Sequence, residues 1–96
     1  MSAVEELRRI ARESVEESVR TRKHVVKVFE ERAAERGWKV ESVNYYWRKA
    51  KRESWVFVVN AGGAKYVVEV TCPRARLPPG WFLNETEISV AQSGGE

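Results

Sequence analysis

The residues best suited to chemistry stand in one run, Tyr45-Tyr46-Trp47-Arg48-Lys49-Ala50-Lys51-Arg52. Arginine and lysine neutralise phosphates, and an exposed ring beside them can stack on a base for about 1–3 kcal/mol. The run falls between two strand-like segments, so it reads as a hairpin tip, and a β-ribbon can enter a major groove. Arg74 and Arg76, in a proline-containing connection, extend the patch if they share its side. The candidate nucleic-acid contacts are therefore Arg48, Lys49, Lys51, Arg52, Tyr46, Trp47, Arg74 and Arg76. The plainer role for such charges is to keep a hairpin soluble and to block edge pairing.

Other chemistries find less support. A single cysteine, Cys72, excludes an intramolecular disulfide, and a single histidine, His24, excludes the usual zinc constellations. A Cys72–His24 dyad needs the two to meet and a third group to orient the imidazole. His24 in a helix and Cys72 before Pro73 read instead as a solvated imidazole and a small buried thiol. All fourteen acids are glutamates, so no scheme that needs an aspartate operates. Glu53 and Glu69 at strand ends are possible metal ligands, though carboxylates there are usually just solvated. Asn84-Glu85-Thr86 is a glycosylation acceptor only in a secreted chain. Leu77-Pro78-Pro79 is a stiff turn, and Gly62-Gly63 lacks the helix that a phosphate loop requires. No cofactor is implied, and the chain reads as non-enzymatic.

The elements that must position the basic run follow from periodicity. Ser2 and Glu5 form a capping box, and Val4, Leu7, Ile10, Ala11, Val15 and Val19 follow at helical spacing. A second stripe runs Val25, Val26, Phe29 and Ala33, with Gly37 as the residue after the helix end. Between the stripes lies EESVRTRKH, residues 16–24, without a glycine or proline. One helix from 3 to 36 is ~50 Å long, too long for a domain ~25–35 Å across. Either it bends near Arg20–Lys23 or there are two helices. A second helix starting at Thr21 puts Arg22 and Lys23 at its positive end, which favours one long, kinked helix.

Residues 38–47, 54–60 and 65–71 are rich in β-branched and aromatic side chains and read as strands. A bulge near Ser42 reconciles Trp38 and Val40 with Val43, Tyr45 and Trp47. The second strand is apolar on both faces, which suits a central strand covered twice. Asn60–Ala64 is a glycine hairpin. Residues 72–80 are an irregular connection because Pro73, Pro78 and Pro79 oppose helix and central strand alike. Residues 81–90 make a fourth strand. Trp38 and Trp55 are core, whereas Trp47 and Trp81 are surface residues. The fold class is α+β: an N-terminal long helix, or helix pair, packed on an antiparallel sheet of about four strands. A single domain spans 1–91, with a flexible tail at 92–96.

Composition sets the outer bounds. With 96 residues there is room for one domain, and 43% apolar residues suffice for a core. No stretch approaches the ~20 apolar residues of a membrane span, and the start is acidic where a secretion signal is basic, so a cytoplasmic protein is expected. Eleven of seventeen bases are arginine, and Asn, Gln, Cys and Met are scarce, a bias that suits a thermostable protein or an engineered one. Residues 38–76 hold eight bases against three acids, while residues 77–96 hold three acids and no base. The positive field is therefore local, which is what attracts a polyanion.

Residues 31–76 resemble the core of small PD-(D/E)xK nucleases, including archaeal Holliday-junction resolvases. The matching features are a helix ending Ala34-Glu35-Arg36-Gly37-Trp38-Lys39-Val40, the basic hairpin leading into Glu53-Ser54-Trp55-Val56-Phe57-Val58, a glycine turn, and Tyr66-Val67-Val68-Glu69-Val70-Thr71. That family begins its second strand with an aspartate and uses a Glu-x-Lys on the third to hold metal and orient water. The resemblance sets Glu69 on the glutamate, Trp55 or Glu53 on the aspartate, and Thr71 on the lysine. It implies a degenerate relative that keeps nucleic-acid binding and has lost cleavage. The function expected is non-enzymatic nucleic-acid binding. The alternative is a homodimeric interaction or structural module, in which the long helix and the second strand bury against a copy, and a metal-dependent nuclease is the third reading.

Overall fold

The computed structural model describes residues 2–75 and 77–94. Two helices, α1 (Ala3–Thr21) and α2 (Val25–Glu35), precede strands β1 (Lys39–Arg48), β2 (Arg52–Ala61) and β3 (Ala64–Pro73). A short helix α3 (Pro79–Asn84) and strand β4 (Glu87–Gly94) follow. The sheet is an antiparallel meander in the order β1-β2-β3-β4. The helix pair covers one face of it, so the α+β architecture read from the pattern holds.

α1 starts as its sequence dictates: the Ser2 hydroxyl accepts from the Glu5 amide at 3.1 Å, and Glu5 accepts from the Ser2 amide at 3.2 Å. Its apolar stripe, Leu7, Ile10, Ala11 and Val15, is buried. The favoured single helix does not form. Continuous helix over 3–35 would be ~50 Å long, and the molecule's longest dimension is 40 Å. The chain instead breaks at residues 22–24. Arg22 turns left-handed (φ 64°) and its amide bonds the Ser18 carbonyl at 2.9 Å. His24 then caps α2, its Nδ1 accepting from the Val26 amide at 3.2 Å. With the helix starting at Val25, Lys23 lies just before its positive end, and Glu17 and Glu31, each 4.0 Å from the Lys23 ammonium, offset the unfavourable dipole. Arg32 clamps the two helices by donating to Glu13 and Glu17, and Arg36 pairs with Glu6. The Arg32 hydrogen bond holds Glu17 below the ordinary carboxylate range.

In the sheet, the expected bulge lies between Val40 and Ser42. Gly62 and Gly63, at φ 65° and 87°, make the two-residue turn that only left-handed residues permit. Two expectations fail beyond β3. The prolines do not exclude a helix: Pro79 opens α3, where its fixed φ suits the first turn and its missing amide costs nothing. Residues 81–84 are therefore helical rather than strand, tied by Phe82 N–H to Pro78 O at 2.9 Å. Strand β4 runs from Glu87 to Gly94, its end beside Lys65, and residues 95–96 of the expected tail lie outside the described residues.

The core is the layer between helices and sheet: Phe29 stacks on Phe57 at 4.1 Å, with Val59, Val68 and Val70 around them. Trp38 and Trp55 pack against this layer, and Trp47 and Trp81 are each 69% exposed. The second covering layer expected over β2 is missing. Val56 and Val58, beside Val67 of β3, face away from the helices and stay half-buried. Among the described residues no helix is long and apolar enough to cross a membrane.

Candidate nucleic-acid interface

The β1–β2 hairpin ends in a three-residue turn, Lys49-Ala50-Lys51, closed by the Arg48–Arg52 pair. Ala50 and Lys51 are both left-handed, at φ 62° and 56°. The end of β3 supports the tip from below. The Arg74 amide donates to the Lys51 carbonyl at 2.8 Å, and its Nε donates to the Arg52 carbonyl at 3.2 Å. That brace sets the Arg74 guanidinium 4.0 Å over the Trp47 ring. Arg74 thus joins the hairpin, as its sequence position left open, and Arg76 lies outside the described residues.

The four hairpin bases divide into two kinds. Arg48 and Arg52 are committed inside the fold: Arg48 donates to Ser54 Oγ and Glu69 at 3.0 Å, and sits 4.9 Å over the Tyr46 ring. Arg52 donates to the Glu85 carbonyl at 2.7 Å and lies 3.6 Å from the Glu87 carboxylate. Lys49 and Lys51 are exposed, and their ammonium groups make no hydrogen bond or ion pair among the described residues. The hairpin's uncommitted positive charge is thus at its turn, with Arg74 beside it.

Aromatic surface adjoins this charge. Tyr45, Tyr46 and Trp47 are 45%, 44% and 69% exposed, an unusual share of open ring surface for one strand. Trp81 lines a cavity of about 400 Å³ with Ala50, Lys51 and Arg52, so α3 sets a second exposed indole by the tip. Tyr45 is anchored, its hydroxyl donating to Glu53 and its ring 5.5 Å from Trp55. That hydrogen bond pushes the phenol above its ordinary pKa.

Sequence reasoning missed the contribution of the helix break. His24 meets the edge of Trp55 at 5.7 Å, which brings the 20–24 segment to the hairpin end of the sheet. Arg20 and Arg22 there are exposed and without ion pairs among the described residues. The only sequence signal was the thinning of the apolar stripe over 16–24, and it did not say where that segment would land.

The alternative chemistries can be judged by geometry. His24, Cys72 and Glu53 do line one cavity of about 360 Å³, with Trp55 and Phe82. However, Nδ1 of His24 accepts a backbone hydrogen bond, so the neutral ring carries its proton on Nε2, which then has no lone pair with which to act as a base. Desolvation pushes the Cys72 thiol up to about 11, the opposite of activation. Glu53 lies on the helix side of the sheet, paired with Cys72, and Glu69 lies on the other side, paired with Val56. The two carboxylates cannot meet at one ion, and among the described residues no group of three metal-ligating side chains occurs. For the positions that the nuclease resemblance aligns, Glu69 and Thr71 share the open face and Trp55 and Glu53 the covered one. No family model, curated protein or solved structure matches this chain.

Proposed function

We propose that the chain is a cytoplasmic, non-enzymatic nucleic-acid-binding domain that grips its ligand with the end of the β1–β2 hairpin. The observation that carries this reading is the Arg74–Trp47 stack beside two unpartnered lysines. A largely exposed indole braced by a guanidinium offers a base a stacking platform, and Lys49 and Lys51 offer the flanking phosphates two mobile cations. Arg48 and Arg52 hold the hairpin's shape rather than the ligand.

Tryptophan fluorescence titration with short single- and double-stranded DNA and RNA tests the reading. With Lys49, Lys51 and Arg74 each neutralising a phosphate, affinity should fall ~40-fold between ~50 and ~200 mM salt, and Lys49→Ala with Lys51→Ala should lower the log–log slope by roughly 1.5–2. Trp47→Ala should weaken binding by about 1–3 kcal/mol. Binding unchanged by these substitutions, or absent with all four ligands, overturns the reading.

A second reading, a homodimeric interaction module, draws on a different observation. The helices leave one whole face of the sheet and the β1 edge to solvent, and these are surfaces that a copy of the chain can cover. Sedimentation over a range of concentrations tests it, and a monomer throughout removes it.

A further inference from the structure

We infer that β1 is a pairing edge, on which a second copy of this chain adds its own β1 antiparallel about a two-fold axis at Tyr45. The inference rests on the second reading above and supplies the surface and register that reading lacks. The sheet has two edges, and they are treated differently. β4 lies against α1, and Arg8 reaches from that helix to donate to the Ile88 carbonyl at 3.2 Å. β1 has ten residues, eight of them exposed, and no side chain from elsewhere bonds its backbone among the described residues. Its only irregularity is the bulge at one end, and from Ser42 to Trp47 it holds no charge and no proline. Edges that must stay single usually carry such blockers, because alternate residues present unpaired amides and carbonyls.

Charge selects the occupant and the register. A continuous sheet requires that facing residues share a side, so the axis falls on a residue rather than between two. Centred on Tyr45, Asn44 faces Tyr46 of the copy, Val43 faces Trp47, and Ser42 faces Arg48. The ends then bring Glu41 level with Lys49 of the copy, twice over by symmetry, so opposite charges close both ends. An axis on Asn44 instead sets Glu41 against Trp47 and loses both charge pairs, and an axis on Tyr46 pairs fewer residues. The open sheet face is the weaker candidate. Its half-buried valines are bordered by the internal Arg48–Glu69 and Lys65–Glu41 pairs, which leave little continuous apolar surface.

The test is sedimentation of the intact chain from low micromolar to near-millimolar concentration, with amide hydrogen exchange at both extremes. A species of twice the 11.1 kDa chain mass should form as concentration rises. Alternate amides of residues 42–48 should slow with it, and those of β4 should not. Asn44 is exposed and its side chain makes no hydrogen bond among the described residues, so Asn44→Lys leaves the fold intact while setting two ammonium groups diagonally across the axis. It should weaken the dimer about tenfold. A dimer that survives Asn44→Lys but is split by Val58→Lys keeps self-association and overturns the β1 edge. A monomer at every concentration overturns both.

Discussion

Cys72 changes its chemistry most on folding. It lies one residue before the end of β3, opposite Glu53 and 2% exposed, and desolvation raises its thiol to about 11 from an ordinary 9, against a weak hydrogen bond from Thr86. A group whose folded pKa exceeds its unfolded value leaves stability intact below the unfolded pKa. Stability is then lost as pH rises toward the folded one. Urea unfolding should therefore be insensitive to this group up to about pH 8.5, and from pH 9 to 11 the thiol should remove up to roughly 3 kcal/mol. Cys72→Ala should cost about 1 kcal/mol near neutrality for the lost packing and then show a shallower alkaline decline. Equal slopes in the two proteins would refute this assignment. Tyr45, whose phenol is raised by its hydrogen bond to Glu53, pulls in the same direction in both, so only the difference between them reports the thiol.

Elements here end by conformations that their sequences do not advertise. Arg22 at the end of α1, and Ala50 and Lys51 at the hairpin tip, hold left-handed backbone without being glycine. Each costs about 1–2 kcal/mol, offset by the packing that the turn makes possible. Ala50→Gly should therefore raise stability by about 1 kcal/mol and leave both lysines in place. The denaturation midpoint measures this, and a loss of stability would mean that the left-handed turn is not populated in solution. The helix break follows the same logic: the Arg22 cap, the His24 cap and the Arg32 clamp together replace the glycine that a sequence reader looks for.

The whole molecule depends on one seam, where α2 meets β2 through the Phe29–Phe57 stack. Both rings are fully buried, and the seam ties α2 to the sheet while α1 lies over β3 and β4. Phe57→Ala should cost about 3–5 kcal/mol, a large part of the ~5–15 kcal/mol typical of a domain. Chemical denaturation gives the value directly, and a cost below about 1 kcal/mol would mean that the seam is not the keystone described.

Local physics made the secondary elements legible from the chain alone. Stripes at helical spacing, the Ser2–Glu5 box, the Gly62-Gly63 turn, the bulge beside Ser42 and the basic, aromatic hairpin all rest on interactions between near neighbours, which residue types dictate. Local physics was less decisive for residues 22–24 and 79–84, where a helix end without glycine and a helix start on proline run against the usual punctuation. Tertiary structure alone decided the partners. Glu69 is 21 residues from Arg48 and Glu87 is 35 from Arg52, and only the sheet register brings those acids to the arginines and leaves Lys49 and Lys51 unpaired. Which face of the doubly apolar β2 is covered, and which sheet edge is left bare, depends on where two helices pack. Such packing is settled by shape and burial across the whole chain, and no window of sequence contains it.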